Sequence, residues 1–189
     1  MKRFIPIAAI AAFALAAPAL ADLKPGSKAP DFTTDAYTAG KPHKFKLSDA
    51  LKKGPVVMYF FPAAYTGGCN IETKMFSDAA DQYKAQIATL VGITAGNVDR
   101  IAEYSKDTEY CAGKFPLLAD PGAKIARQYE ASRDFGASTA TVKADGAIST
   151  RTSYVLAPSG EVLHAYTESR PQEHVAQTLG AVKAWKAKR

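Results

Sequence analysis

The run Val56-Val57-Met58-Tyr59-Phe60-Phe61, followed at once by Pro62 and soon after by Gly67-Gly68-Cys69, leaves few folds open to this chain. An unbroken apolar run of β-branched and aromatic residues suits a strand buried on both faces, as in sheets covered by helices on either side. Proline cannot donate to a sheet ladder, so the strand is expected to end at Pro62. The two glycines are expected to let the backbone turn tightly before Cys69. Beyond it, Ile71, Met75, Phe76, Ala79, Ala80 and Tyr83 recur at helical spacing. A cysteine therefore stands in the first turn of a helix that leaves a buried strand.

That placement has chemical content. Unpaired amide hydrogens and the helix dipole favour an anion at a helix N-terminus, and the thiolate is the reactive form of cysteine. Buried cysteines are also common as inert apolar residues. The flanking spacing Pro62-x-x-x-Thr66-x-x-Cys69 favours the reactive reading.

This pattern resembles the peroxiredoxins, thiol peroxidases of thioredoxin-like fold. Pro62, Thr66 and Cys69 fall on that family's proline, threonine and peroxidatic cysteine, in the same context of strand, loop and helix. The resemblance runs from about Pro25 to the C-terminus and is closest in character to the bacterioferritin-comigratory (Q-type) subfamily. It implies an α/β fold: a thioredoxin-like layer sandwich, with a central mixed sheet flanked by helices and an N-terminal β-hairpin.

The rest of the chain is compatible with that plan. Pro25 to Phe32 resembles the family's entry segment; Phe32–Thr34 and Lys44–Lys46 suit two short strands, with a turn at Gly40-Lys41-Pro42. Ser48 is placed to cap a short helix at Asp49–Lys52. Ile87–Ile93 reads as the next buried strand, and Asn97 as the cap of a helix running through Ile101 and Tyr104 toward Cys111. Leu117 and Leu118 suit a short strand, after which Asp120 can cap a helix opened by Pro121. Residues 130–148 are small and polar and read as a surface excursion with a short hairpin. Thr152–Leu156 and Glu161–Tyr166 flank Pro158-Ser159-Gly160 as a β-hairpin. Pro171 opens a last helix with Val175, Leu179, Val182 and Trp185 on one face.

The resemblance assigns roles. Arg151, at a strand start, falls where the family points an arginine at the peroxidatic cysteine; a guanidinium stays charged and offers several donors. Thr66 is expected to engage the peroxide and the thiolate, Pro62 to pack over the sulfur, and the Gly68 and Cys69 amides to aim at the same oxygen. Glu72 either orients an arginine, Arg127 being the candidate, or is a surface helix charge. Cys69 would become a sulfenic acid that a second thiol must restore. Many Q-type members carry that thiol five residues on, where this chain has Lys74. The other cysteine, Cys111, precedes Phe115-Pro116-Leu117 and falls where a further group of the family carries its resolving cysteine, implying an intrachain disulfide.

Two readings compete with the two-cysteine peroxidase. One is a peroxidase that uses Cys69 alone. The other is an exported non-enzymatic thioredoxin-like module whose Cys69–Cys111 disulfide is structural, which an oxidising compartment permits. There is no Cys-x-x-Cys for a thioredoxin- or DsbA-like exchange enzyme. His43, His164 and His174 form no metal-ligand spacing and are expected to be surface or structural residues. No cofactor or metal is expected.

Residues 1–21 read as a secretory signal: Lys2 and Arg3, an apolar Phe4–Ala17, and a small-x-small ending at Ala21. Cleavage before Asp22 would leave a thioredoxin-like domain over 22–189, exported to a bacterial periplasm and without stable membrane association. Removing two cations takes the net charge from 24 − 18 = +6 to 22 − 18 = +4. That mild excess suits solubility rather than nucleic-acid binding. The expected partners are a peroxide and an exported thiol-disulfide reductant, with the chain itself a monomer.

Overall fold

The computed structural model describes residues 22–189; the expected signal segment, 1–21, lies outside the described residues. In chain order the elements are β1 (Thr33–Thr38), β2 (Lys41–Lys46), α1 (Leu47–Leu51), β3 (Val56–Ala63), α2 (Gly67–Ala85) and β4 (Thr89–Gly96). They continue as α3 (Ile101–Lys106), β5 (Leu117–Ala119), α4 (Lys124–Gln128), β6 (Ser132–Asp134), β7 (Ala147–Ser149), β8 (Thr152–Leu156), β9 (Val162–Thr167) and α5 (His174–Ala187). Seven strands form one sheet in the order β2-β1-β5-β4-β3-β8-β9, and β6 and β7 pair as a separate ribbon. β3, β4 and β5 are parallel, while β1 and β8 run antiparallel to their neighbours β5 and β3. This is the expected mixed, helix-flanked sheet with an N-terminal hairpin.

β3 divides the core because successive side chains point to opposite faces. Val56, Met58 and Phe60 pack with Leu47 and Leu51 of α1, Ile125 of α4, and Tyr129. Val57, Tyr59 and Phe61 pack with Phe76 and Tyr83 of α2, Tyr104 of α3 and Leu179 of α5. All six run residues are fully buried, so the strand is covered on both faces as expected. Tyr59 stacks on Phe76 with ring centroids 4.2 Å apart. Its ring crosses Gly92, where a β-carbon would stand 2.6 Å from it. Both cysteines belong to the second of these faces.

Several local expectations are corrected. β3 passes through Pro62 to Ala63; its pairing with β8 stops at Phe60, and its register with β4 steps from Phe61–Thr94 to Ala63–Gly96 over the proline. The tight turn is made by Tyr65, at φ +59°, and not by the glycines, which already belong to α2. Ile71 is 50% exposed; Phe76, Ala79 and Tyr83 lie on the buried stripe as expected, joined there by Cys69, Glu72, Thr73 and Ser77. Asn97 stands where expected, before the 3-10 turn Val98–Arg100 that leads into α3, but in a left-handed conformation and with no side-chain capping bond. Its side chain ties loops together, Nδ2 donating to the Ala64 and Thr141 carbonyls at 2.7 and 2.9 Å. α3 ends at Lys106, because Asp107 is extended and its carboxylate accepts the Glu109 amide at 2.9 Å. Cys111 therefore lies in the turns that follow and not on that helix.

Asp31, not Ser48, caps α1, accepting the Ser48 amide at 2.9 Å. The entry hairpin is longer than expected and turns at Ala39 and Gly40, with Pro42 on the edge strand, where a missing donor costs the sheet no pairing. Asp120 does hold a helix start, its two oxygens accepting the Ile125 and Ala126 amides at 2.9 and 2.8 Å. Among the described residues no helix is long and apolar enough to cross a membrane.

Candidate active site

Thr66 is the last extended residue before α2, at φ −116° and ψ 147°. Its carbonyl accepts the Asn70 amide at 2.8 Å, which starts the helix. Its hydroxyl donates back to the Ala63 carbonyl at 2.9 Å, bracing the turn. Cys69 follows in the first helical turn and is 1% exposed.

Arg151 enters from the link between β7 and β8. Its Nη2 donates to Cys69 Sγ at 3.6 Å, its Nε donates to the Ser169 carbonyl at 2.8 Å, and its Nη1 pairs with Glu72 Oε2. Three anchors on one planar group fix its orientation, as a planar fork of donors allows. Gly68 makes the approach possible, because a β-carbon there would stand 3.0 Å from Nη2. The glycine thus clears a path for the arginine. The structure brings Arg151 beside Cys69, and Glu72 is neither a surface charge nor a partner of Arg127: it pairs with Arg151, while Arg127 donates to the Gly122 carbonyl.

Glu72 is fully buried one turn after Cys69. Burial lifts its carboxyl to about 8, with the Arg151 ion pair pulling the other way. Oε1 has no hydrogen-bond partner among the described residues and lies 3.7 Å from His174 Nδ1. His174 is also fully buried; its Nε2 faces the Glu168 carbonyl at 2.9 Å and its Nδ1 faces Ser153 Oγ at 2.8 Å. A carbonyl only accepts, so Nε2 carries the proton and Nδ1 accepts from the serine. Burial holds this histidine below its usual range, so it is neutral near pH 7. His174 was legible only as a structural or surface residue; nothing in the sequence announces that it stands behind Glu72.

Cys111 has different surroundings. It is fully buried, and its thiol donates to the Phe115 carbonyl at 3.5 Å. Burial pushes it up to about 11. Its carbonyl accepts from Ser77 of α2 at 3.0 Å, and Ala112 and Gly113 follow at φ +54° and +67°. The two cysteines are not bridged.

Three tyrosines join their surroundings, a feature sequence reading missed. Tyr104 stacks edge-on with Tyr65 at 4.7 Å and tilts against Tyr110 at 5.5 Å. Its hydroxyl donates to Asn70 Oδ1 at 3.0 Å. Asn70 is next to Cys69 and Tyr110 is next to Cys111, so one side chain contacts a neighbour of each cysteine.

A cleft of about 540 Å³ opens above, lined by Pro62, Arg133, Arg151 and Thr167 among others. Pro62 lies in its wall beside Arg151. Among the described residues no three His, Cys, Asp or Glu side chains converge as a metal site; His43 lies on β2 and His164 on β9.

A cysteine in the first turn of the helix leaving the central strand, faced by a fixed guanidinium, places the chain among thioredoxin-like proteins with a thiol site at that junction. The chain belongs to the AhpC/TSA family of peroxiredoxins, whose family model matches residues 25–165. It is 29% identical over 155 residues to a chloroplastic peroxiredoxin Q of Oryza sativa subsp. japonica, covering 82% of this chain and 64% of the relative. It is 30% identical over 162 residues to a chloroplastic peroxiredoxin Q of Sedum lineare, covering 85% and 78%. The chain thus spans less than two thirds of the rice protein's length. Among solved structures, peroxidoxin BcpB of Mycobacterium tuberculosis superposes with a TM-score of 0.69 at 27% identity, covering 86% of this chain and 97% of that one. A reduced 2-Cys peroxiredoxin of Plasmodium vivax shares the fold, with a TM-score of 0.71 at 20% identity over 86% of this chain and 81% of that one.

Proposed function

We propose that the protein is a thiol-dependent peroxidase acting on hydrogen peroxide and organic hydroperoxides through Cys69. The observation that carries this reading is the contact between Arg151 Nη2 and Cys69 Sγ, 3.6 Å at a helix N-terminus. The Cys69 thiolate attacks the terminal oxygen of ROOH. The oxygen–oxygen bond breaks, sulfur is oxidised to the sulfenic acid, and the leaving RO⁻ takes a proton to depart as ROH. The Arg151 donors and the first amides of α2 stabilise the charge that develops on the departing oxygen. Thr66 holds the turn that aims those amides, and Pro62 borders the approach.

Cys111 is the resolving thiol in this reading. Its sulfur attacks the Cys69 sulfenic acid, a disulfide forms and water leaves. Both thiols are buried in the structure, so the segments around them open before they meet. A reductant then supplies two electrons and two protons to regenerate both thiols. A one-cysteine cycle is the second reading, and the specific observation favouring it is the Cys111 thiol itself, buried and held at about 11. The composition of residues 1–21 supports export to a periplasm, and hence an exported thiol-disulfide carrier as reductant for a monomeric enzyme. Intact mass of periplasmic material tests this: a chain beginning at Asp22 supports it, and a full-length membrane-bound chain rejects it.

The deciding experiment is peroxide consumption by pre-reduced protein, followed by a count of free thiols. Stoichiometric consumption with loss of both thiols supports the two-cysteine cycle. Loss of one thiol leaves the one-cysteine cycle. No consumption rejects the peroxidase and leaves a structural thioredoxin-like module.

A further inference from the structure

The cleft over Pro62 and Arg151 is far larger than hydrogen peroxide requires. Its volume of about 540 Å³ falls within the range of about 300–1,000 Å³ usual for small-molecule sites. Two guanidinium groups line it. Arg151 is paired with Glu72 and is pinned at three points. Arg133, on β6, is exposed and forms no ion pair or side-chain hydrogen bond among the described residues. Residues 1–21 contain no acid that could serve it.

The acid that lines the cleft is already engaged. Glu168, which also lines the cleft, accepts from Ser169 Oγ at 3.0 Å and from the Arg170 amide at 3.2 Å, and pairs with Arg170 at 3.7 Å. Asp22 accepts from Thr167 Oγ1 at 2.6 Å and is not part of the lining. An uncommitted cation therefore stands in the wall of the same cleft as the arginine that touches the reactive sulfur.

Resting on the peroxidase reading above, we propose that Arg133 is a specificity residue that receives the carboxylate of an anionic organic hydroperoxide. The hydroperoxy group reaches past Pro62 to Arg151 and Cys69, and the rest of the molecule fills the cleft. Guanidinium matches a carboxylate with paired donors, which gives direction as well as charge. Arg133 touches the tail of the substrate and not the reacting atoms, so its effect falls on capture rather than on the chemical step.

The test uses a matched pair of probes, cumene hydroperoxide and its para-carboxylate, with hydrogen peroxide as the third substrate. Rates of Cys69 oxidation are measured by stopped flow on the reduced full chain, at low and high salt. Wild type is expected to react with the carboxylate probe about fivefold faster than with the neutral one, an advantage that salt erodes. Arg133→Ala should abolish that advantage through KM, Arg133→Glu should invert it, and Arg133→Lys should keep part of it. Rates with hydrogen peroxide should be the same in all four proteins. Equal rates for the two organic probes in wild type, or an advantage that survives in Arg133→Ala, overturns the assignment while leaving the peroxidase intact. Failure of all three peroxides overturns the peroxidase reading, and the anion site with it.

Discussion

The two cysteines share one face of the sheet and are almost equally buried, yet they have different partners. Cys69 has a helix N-terminus beneath it and a guanidinium 3.6 Å away. Cys111 has a carbonyl as its partner, and its thiol is held at about 11 by burial. Burial is therefore common to both, and their partners are not. At Cys69, α2 starts and Arg151, clamped by Glu72, makes a charged contact with the sulfur. At Cys111 burial outweighs the Phe115, Gly113 and Lys114 amides and the Lys114 charge, which favour the thiolate.

The largest expected effect separates the two sulfurs outright. Cys69→Ser should reduce peroxide turnover to background, while Cys111→Ser should still consume the first equivalent of peroxide and accumulate a sulfenic acid that a sulfenate probe traps. Stopped flow and mass spectrometry read both. Persistent turnover in Cys69→Ser would mean that the contrast has been drawn around the wrong thiol.

Removing the clamp tests why they differ. Arg151→Gln keeps much of the volume and loses the charge, and oxidation of Cys69 should slow by about 10²–10³, the range for loss of one preorganised donor at a reacting oxygen. A wild-type rate would show that the helix terminus suffices by itself.

The protonation of Cys111 can be read through stability. Its pKa is raised in the folded state from 9 to about 11, so the folded protein holds a proton that the unfolded chain releases first. That stabilisation is fully present below about pH 9 and is lost as pH rises through about 11, to the extent of about 3 kcal/mol. Urea titrations of the reduced protein between pH 8 and 11 should show this loss, and Cys111→Ala should lack that component. An identical slope in the variant would refute a buried neutral thiol.

The smallest effect is expected at the contact between the two regions. Tyr104→Phe deletes one hydrogen bond to Asn70 and leaves the ring packing in place. A net loss of about 1 kcal/mol makes local opening about fivefold more frequent. Disulfide closure after one equivalent of peroxide should accelerate by that factor, with the rate of peroxide attack unchanged. If both steps respond together, Tyr104 supports the site as a whole and does not latch its two halves.

The strength of the sequence signal tracked how local its cause was. The central strand was legible because six consecutive apolar residues can be satisfied only by two covered faces. Cys69 was legible because strand, turn and helix follow one another within a few residues. Arg151 could be named from the resemblance, but its reach to Cys69 depends on Gly68 having no side chain and on Ser169 and Glu72 closing around it. Details set by one extended residue, such as the end of α3 at Asp107, were misread.

By itself, then, the chain determined the sheet's central strand, the helix that follows and the cysteine at their junction, because periodicity and turn chemistry act over neighbours. The partners of that cysteine were decided only by the tertiary structure. Glu72 pairs across 79 positions with Arg151, and His174 comes within 3.7 Å of the same carboxylate from the last helix. A glutamate on a helix and a histidine near a proline carry no mark of burial in sequence. Only the closing of α5 over β8 removes water from them, and that loss of water lifts the Glu72 carboxyl and keeps the His174 ring neutral.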